Sequence, residues 1–339
     1  MNIHTDLENR IMILVKLGDY MQGTSPEWLE VRQLAERQNG WFTQEFINYS
    51  ISQIGTQFLQ ETILREFAKD IQTAEAKDFV KTVGITMAGN IPMVGFHDFM
   101  CVFLSGHKQK IKCSSKDHLL IPHLIQKMVE WAPEFASFIE IAPMLKQCDA
   151  YIATGSNNSA RYFEQYFAKY PHIIRRNRTS VAVVNGKEST AELEQLADDI
   201  HMYFGLGCRN ITKIYVPQDY DFIPLLEACK KYNYFKDHNK YRNNYDYQLA
   251  IYILNHQFYM STEGLLLVEH SSLFSPVAVL HYEFYSDDQY LKTLNELTHD
   301  IQAIAGGEHQ TFGCLQTPSI RDFADGVNTI DFLNSLSLS

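Results

Sequence analysis

A cysteine that follows two glycines and precedes a β-branched run is the feature of this chain best suited to covalent chemistry. Cys208 lies in Tyr203-Phe-Gly-Leu-Gly-Cys-Arg-Asn-Ile-Thr-Lys-Ile-Tyr-Val216. Residues 192–203 have helical spacing and 211–216 read as a strand, so the cysteine sits on a helix-to-strand turn. Gly205 and Gly207 would let a substrate carbonyl approach closely and let the Cys208 N–H face a developing oxyanion. The thiolate is the nucleophile, and a cation such as Arg209 favours the ionised form. A small core residue beside a turn looks the same locally, so this segment alone leaves both readings open.

Further polar residues sit where strand gives way to helix or loop. Met87-Ala-Gly-Asn90-Ile-Pro92 and Ala153-Thr154-Gly155-Ser156-Asn-Asn158 each follow a β-rich run and precede a helical one. Open α/β sheets hold ligands at such places because backbone N–H groups point outward at helix N-termini. Lys112-Cys-Ser114, continued by Ser115-Lys116, brings two ammonium groups to a third turn, and Leu273-Phe274-Ser-Pro-Val277 forms a fourth. His97, on the helix that leaves the Asn90 turn, is either a proton donor or a packed, capping histidine. Each residue also has a plain structural reading: Asn90 as a turn former, Ser156 as an N-cap, Lys112 as a solvated lysine.

These turns need a scaffold, and the chain's texture describes one. From Asp6 to about Ile71 apolar residues recur at helical spacing, as in Ile11, Leu14, Val15 and Leu17. Beyond residue 80, β-rich runs at 80–87, 150–154, 180–184, 211–216, 264–269 and 277–283 alternate with helical stretches. Strands separated by helices imply a parallel or mixed sheet covered on both faces. A domain boundary is expected near Arg178, and residues 235–247, dense in Tyr, Asn, Lys and Asp, read as a solvated loop or helix edge. With 339 residues, 45% hydrophobic and 20% charged, the chain has the balance of a globular protein with room for two domains.

The net charge of −11 excludes sequence-independent nucleic-acid binding, which needs a broad basic surface. A small basic pocket is still available from Arg175, Arg176 and Arg178, or from Lys108, Lys110, Lys112 and Lys116. The six cysteines are scattered without a C-x-x-C pair, so neither a metal cage nor a disulfide framework is expected. Residues 1–10 are polar, unlike a secretory leader, and no run approaches the ~18 apolar residues of a membrane span, so a cytoplasmic location is expected.

Taken in order, Gly89-Asn90-Ile-Pro92, Lys112-Cys-Ser114, Thr154-Gly155-Ser156, Gly205-Leu-Gly-Cys208 and Leu273-Phe-Ser-Pro-Val277 resemble the aldehyde dehydrogenase superfamily. Within it the chain is similar to the acyl-CoA reductase family, typified by the fatty acyl reductase subunit of bacterial bioluminescence, over about residues 80–335. The resemblance implies an α/β, aldehyde dehydrogenase-like fold: two Rossmann-related α/β domains with mostly parallel sheets and a helical N-terminal segment. Residues 1–178 would then bind a nicotinamide cofactor, 179–315 would carry the nucleophile, and 316–339 would return to the cofactor domain or a subunit interface. It implies that Cys208 is the nucleophile and that the Asn90 amide and the Cys208 N–H form an oxyanion hole. Lys112 and Ser114 would lie at the adenosine ribose, and Thr154, Gly155 and Ser156 at the pyrophosphate. Phe274 would lie beneath the nicotinamide ribose, with Ser275 replacing the glycine of a Phe-Gly-Pro element. The tail Arg321-Asp-Phe-Ala-Asp-Gly-Val327 resembles the family's C-terminal segment, with Arg321 holding a phosphate or a surface ion pair.

The departures from the pattern sharpen the expectation. Oxidising members carry a Glu-Leu-Gly-Gly-Lys segment whose Glu activates water, and here the stretch reads Ile174-Arg-Arg-Asn-Arg178. Without a positioned base, an acyl-thioester is disposed to transfer rather than to hydrolysis. The acid expected after Lys-x-Ser is replaced by Ser115-Lys116, and Lys116 would favour a 2′-phosphate and hence NADPH. Asp117 follows directly and keeps NADH as the alternative, and Ser272 stands where a Glu precedes Phe-Gly-Pro. The expected activity is therefore NADPH-dependent reduction of an acyl-CoA, or of an acyl-protein thioester, to the aldehyde through an acyl-Cys208 intermediate. A Cys-dependent acyltransferase or thioesterase, or a non-catalytic acyl-binding subunit on the same fold, is the alternative. A homo-oligomer or an acyl-donating partner protein would fit either reading.

Overall fold

The computed structural model describes residues 3–73, 79–285, 294 and 299–336; Met1 and Asn2 of the polar N-terminal stretch lie outside them. The chain divides into two compact units, Met1–Asn177 with Ser319–Ser339, and Arg178–Pro318.

The first unit opens with four helices, α1 (Ile3–Gln22), α2 (Pro26–Gln38), α3 (Gln44–Gln57) and α4 (Glu61–Ala68). Ser25 and Thr43 start α2 and α3 by accepting from the N–H groups of Trp28 and Phe46, and Pro26 supplies a preset φ to the first turn of α2. Their apolar stripes bury Leu14, Leu17, Trp28, Phe46 and Phe67. There follow β1 (Thr82–Thr86), α5 (Phe96–Ser105), β2 (Lys108–Lys112), α6 (Leu120–Trp131), β3 (Ile139–Ile141), β4 (Ala150–Thr154), α7 (Asn157–Phe167) and β5 (His172–Arg175). The strands pair β3-β2-β1-β4-β5, all parallel. The order reverses between β1 and β4, where doubly wound sheets open a crevice at the strand carboxyl ends. The central strands β1 and β4 are buried along their length, whereas β2 buries only Gln109 and Ile111 between exposed or half-buried lysines. That explains why 82–86 and 150–154 stand out as β-rich runs while β2 reads as a basic cluster.

The second unit comprises β6 (Thr179–Val183), α8 (Thr190–His201), β7 (Ile211–Pro217), α9 (Ile223–Cys229), α10 (Asn239–Leu254), β8 (Met260–Ser261), β9 (Leu266–Glu269), β10 (Val279–Tyr285) and β11 (Ile301–Ala305). Its sheet has the order β11-β6-β7-β10-β9-β8, parallel except for the β8–β9 pair. Residues 235–247, expected as a solvated loop or helix edge, instead lie across a 3₁₀ segment (Lys230–Asp237) and the first half of α10. Phe235 and Tyr241 are buried there because their rings pack together and around Phe204, with centroids 4.6–5.5 Å apart.

The C-terminal segment completes the first unit with α11 (Thr329–Leu336), which buries Ile330, Leu333 and Leu336. Arg175, at the end of β5, ties this segment down. Its guanidinium donates to both carboxylate oxygens of Asp98 on α5, at 2.8 and 3.2 Å, to Thr329 Oγ1 at 2.8 Å and to the Ala324 carbonyl. Burial alone would push the Asp98 carboxyl up, but the Arg175 charge and hydrogen bonds outweigh it and hold the group below the usual carboxylate range. Among the described residues, no helix is long and apolar enough to cross a membrane. Replacing Arg175 by Met leaves Asp98 buried without a counter-charge and is expected to cost about 3–5 kcal/mol, measured by urea unfolding. The double variant Arg175→Met/Asp98→Leu should recover the larger part of that loss.

Candidate active site

Three turns of the first unit lie side by side at the carboxyl edge of β2, β1 and β4, because Thr86 is in register with Lys112 on one side and Ala153 on the other. The turn after β1 carries Asn90, whose side chain is exposed. It nests on the turn after β2: a Cβ at Gly89 would stand 2.7 Å from Ser114 Oγ and 2.8 Å from Ser114 Cβ, so only glycine permits the contact. Ser114 Oγ accepts from Lys116 N–H at 3.2 Å, and the buried Asn39 amide donates to the Lys116 carbonyl at 3.0 Å. These contacts fix the loop backbone while the Lys112 and Lys116 side chains stay exposed.

Asp117 anchors the Asn90 turn from behind. Its buried carboxylate accepts from Met93 N–H at 2.7 Å, and Met93 has a left-handed φ of 59°. Ser50 Oγ donates to the neighbouring Pro92 carbonyl at 2.9 Å. Burial pushes the Asp117 carboxyl up to about 6, against the pull of the Met93 and Leu120 N–H groups. The Asp117 carboxylate is buried and faces the Asn90 turn from the protein side.

The turn after β4 starts α7 with Ser156, whose hydroxyl accepts from Ser159 N–H at 3.3 Å. Gly155 packs tightly on α7, since a Cβ there would meet Ser159 Cβ at 2.9 Å and the Phe163 ring at 3.0 Å. Thr154 and Gly155 are half-buried and Ser156 is exposed. A helix N-terminus at the switch point, on the same sheet edge as the exposed Lys112, suits a dinucleotide phosphate. These residues therefore fit a nicotinamide cofactor.

Cys208 lies in the second unit, at the amino edge of β7. The helix before it is fixed at its start by a capping box, Ser189 with Glu192. After His201 the chain turns through Tyr203, Phe204 and Gly205 at φ 55°, 58° and 72°. A left-handed conformation costs a non-glycine residue roughly 1–2 kcal/mol. Burial of Phe204, whose ring centroid lies 4.4 Å from that of His238 and 4.6 Å from that of Phe235, offsets this with about 1.5–3 kcal/mol. Cys208 emerges half-buried. Its carbonyl accepts from Ser180 Oγ at 3.1 Å, and the Arg209 carbonyl accepts from the Gln316 amide at 2.9 Å. On the neighbouring strand β10, the segment 273–276 occupies the same amino edge: Thr212 Oγ donates to the Leu273 carbonyl at 2.7 Å, and Phe274 packs half-buried against a cluster that includes Val181 and Tyr215.

The structure thus brings Asn90, Lys112, Ser114, Lys116, Thr154, Gly155 and Ser156 to one edge of the first sheet, and Cys208 and Phe274 to one edge of the second. His97 stands apart from the turns. Its Nε2 lies 2.8 Å from the Ile320 carbonyl and its Nδ1 3.7 Å from Cys101 Sγ, with Phe58, Phe67 and Phe323 edge-on around the ring. These contacts fit the packed, capping reading of His97. Arg321 makes an ion pair with Asp70 and donates to the Glu66 carbonyl at 3.3 Å, which is the surface-pair reading. Ser180, Asn210 and Gln316 escaped the sequence reading, as did the anchoring contact of Asp117, because a polar side chain that serves a backbone group in another segment leaves no spacing signal.

A family model for acyl-CoA reductase (LuxC) matches residues 31–228, more than half of the chain. No curated protein matches the sequence. The fold is similar to that of γ-glutamyl-γ-aminobutyraldehyde dehydrogenase from Burkholderia cenocepacia, with a TM-score of 0.66 and 14% identity over 91% of this chain and 72% of that one. The aldehyde dehydrogenase KauB from Pseudomonas aeruginosa gives 0.66 and 12% over 88% and 72%. The indole-3-acetaldehyde dehydrogenase AldA of P. syringae, solved in complex with NAD+, gives the same values. At these identities the likeness is one of fold.

Asp199, fully buried on α8, accepts from Gly313 N–H at 2.6 Å, and burial pushes its carboxyl up to about 7. Between about pH 4 and 7 the folded protein therefore keeps a proton that the unfolded chain has released. Stability falls as pH rises through that window, by at most about 1.4 kcal/mol per pH unit, and is constant above it. Asp199→Asn lacks this loss, so its stability relative to wild type should improve steadily from pH 4 to 7 and then level off. Urea unfolding of both proteins across pH 4–8 measures it; a difference that does not change with pH would mean that Asp199 ionises normally.

Proposed function

Because the chain belongs to the acyl-CoA reductase (LuxC) family, NAD(P)-dependent oxidoreductases on the aldehyde dehydrogenase fold, we propose that it reduces an acyl thioester to the aldehyde through an acyl-Cys208 intermediate, with NADPH preferred. The observation that carries this reading is the placement of Cys208: half-exposed, on a turn whose carbonyls are held by side chains from other elements. In the proposed roles, the first unit binds the cofactor and the second carries the nucleophile.

The Cys208 thiolate attacks the thioester carbonyl, and the negative charge that builds on its oxygen is shared by the Asn90 amide and the Cys208 N–H. Collapse of the adduct breaks the bond to coenzyme A, whose thiolate is protonated from solvent, and leaves the acyl group on Cys208. The nicotinamide, when bound, supplies the hydride. With a hydride at the carbonyl carbon, the same donors hold the second oxyanion until it expels the Cys208 thiolate and frees the aldehyde. One thioester, one hydride and one proton thus yield aldehyde and free thiol. Lys112, Ser114 and the Thr154–Ser156 turn would hold the cofactor's phosphates and ribose, Lys116 would take a 2′-phosphate, and Phe274 would support the nicotinamide ribose. The stretch Ile174-Arg-Arg-Asn-Arg178 offers no carboxylate to activate water, which supports transfer over hydrolysis.

Mass spectrometry after incubation with an acyl-CoA, without reductant, should find one acyl adduct on Cys208 in wild type and none in Cys208→Ser. Asn90→Ala should fold and lose on the order of 10²–10³ in reduction rate, followed by absorbance of the reduced cofactor. Near-normal turnover would remove Asn90 from the mechanism. Lys116→Glu should shift the preference from NADPH toward NADH in the ratio of kcat/KM values.

A further inference from the structure

The backbone around Cys208 converges on one buried side chain. Asn210, with no exposed surface, accepts from Gly207 N–H through Oδ1 at 2.7 Å. Its amide nitrogen donates to the carbonyls of Asp199 at 3.0 Å and Met202 at 2.8 Å. Those two carbonyls lie at the end of α8, where helical partners run out. Both N–H groups of the carboxamide and its oxygen are thereby engaged, and the donor–acceptor pattern admits only one orientation of the amide. The main chain of Asn210 is held as well: its N–H donates to the Gly207 carbonyl at 3.1 Å, and its carbonyl accepts from Ser180 N–H at 3.1 Å, at the start of β7.

We propose that Asn210 is the positioning residue of Cys208, clamping the end of α8 to the amino end of β7 so that the left-handed turn at 203–205 and the thiol behind it keep one geometry. The inference rests on the reading of Cys208 as the nucleophile. No other residue type meets the three requirements in that space. Aspartate accepts from Gly207 but sets a carboxylate oxygen against two carbonyls; leucine satisfies none of them; glutamine, a methylene longer, cannot keep the same three partners from a fully buried position. The strained residues Tyr203 and Phe204 lie inside the clamped segment, so loss of the clamp frees the turn to relax and moves the sulfur away from its working position.

The test compares Asn210→Ala and Asn210→Asp with wild type and with Leu196→Ala, which opens the buried face of the same helix without touching the clamp. Three quantities are read on folded protein: the single-turnover rate of Cys208 acylation by an acyl-CoA, the acyl-CoA concentration that half-saturates it, and the rate of Cys208 alkylation by iodoacetamide. Both Asn210 variants should acylate about 10- to 10²-fold more slowly, the loss expected for a reacting group displaced by about an ångström, with half-saturation unchanged. Leu196→Ala should lower the melting temperature and keep the wild-type acylation rate per folded molecule. Wild-type rates in Asn210→Asp, or equal slowing in Leu196→Ala, would overturn the clamp. If Asn210→Ala fails to fold, Asn210→Asp carries the comparison. If wild type takes up no acyl group, the nucleophile reading fails by itself, and equal iodoacetamide rates in wild type and Asn210→Asp would overturn the clamp independently.

Discussion

A half-exposed turn that leads straight into a buried strand meets only part of its peptide hydrogen bonding from neighbouring main chain, as where Asn210 N–H donates to the Gly207 carbonyl. An unmet buried N–H or C=O costs about 1–3 kcal/mol, so other groups must be met by side chains. At Gly207, Cys208 and Arg209 the partners are side chains drawn from β6, the β7 entry and the segment before residue 318: Ser180, Asn210 and Gln316. The Asn90 turn obeys the same constraint with Ser50 and Asp117. Both candidate loops are thus presented by polar side chains that face the protein, while the residues assigned chemistry face away.

The two sheets use opposite edges. In a parallel sheet every strand shows its carboxyl end on one side, and a helix that follows starts there with its N–H groups free. That edge of the first sheet holds the turns suited to phosphate, on β2, β1 and β4. The Cys208 turn of the second sheet lies at the amino edge, where the chain arrives from a helix C-terminus and carbonyls are in excess. An anion is not favoured beside a helix C-terminus. Asn210 donates to two of those carbonyls and so removes part of the unfavourable field from the approach to Cys208.

How far the sequence reveals this depends on whether a residue acts locally. The buried runs 82–86, 150–154 and 211–217 announce their strands because both faces are covered and alternation is lost. Lys108–Lys112 conceals its strand, since the residues between the buried positions are lysines. Gly-Leu-Gly-Cys, Gly-Asn-Ile-Pro and Thr-Gly-Ser are legible as turns because glycine and proline carry local backbone meaning. Asn210 and Asp117 are not, because their partners lie in other elements and are set by topology. The aromatic-rich stretch 235–247 misleads for a related reason: its Tyr and Asn residues look solvated until Phe204 supplies the ring that buries Phe235 and Tyr241.

The segment from Ile174 to Arg178 joins these strands of argument. Where the resemblance leads one to look for the Glu of oxidising members, this chain has arginines, and the structure shows what they bind. Arg175 is consumed by Asp98, Thr329 and Ala324; Arg176 pairs with Glu164; Arg178 donates to the Ile301 carbonyl at 3.2 Å. A carboxylate in place of Arg175 would face Asp98 and release the C-terminal segment, so a general base cannot be restored there by one substitution. In the proposed reaction this constraint has a chemical consequence. The lifetime of the proposed acyl-enzyme would be set by hydride arrival and by return of the acyl group to a thiol rather than by hydrolysis.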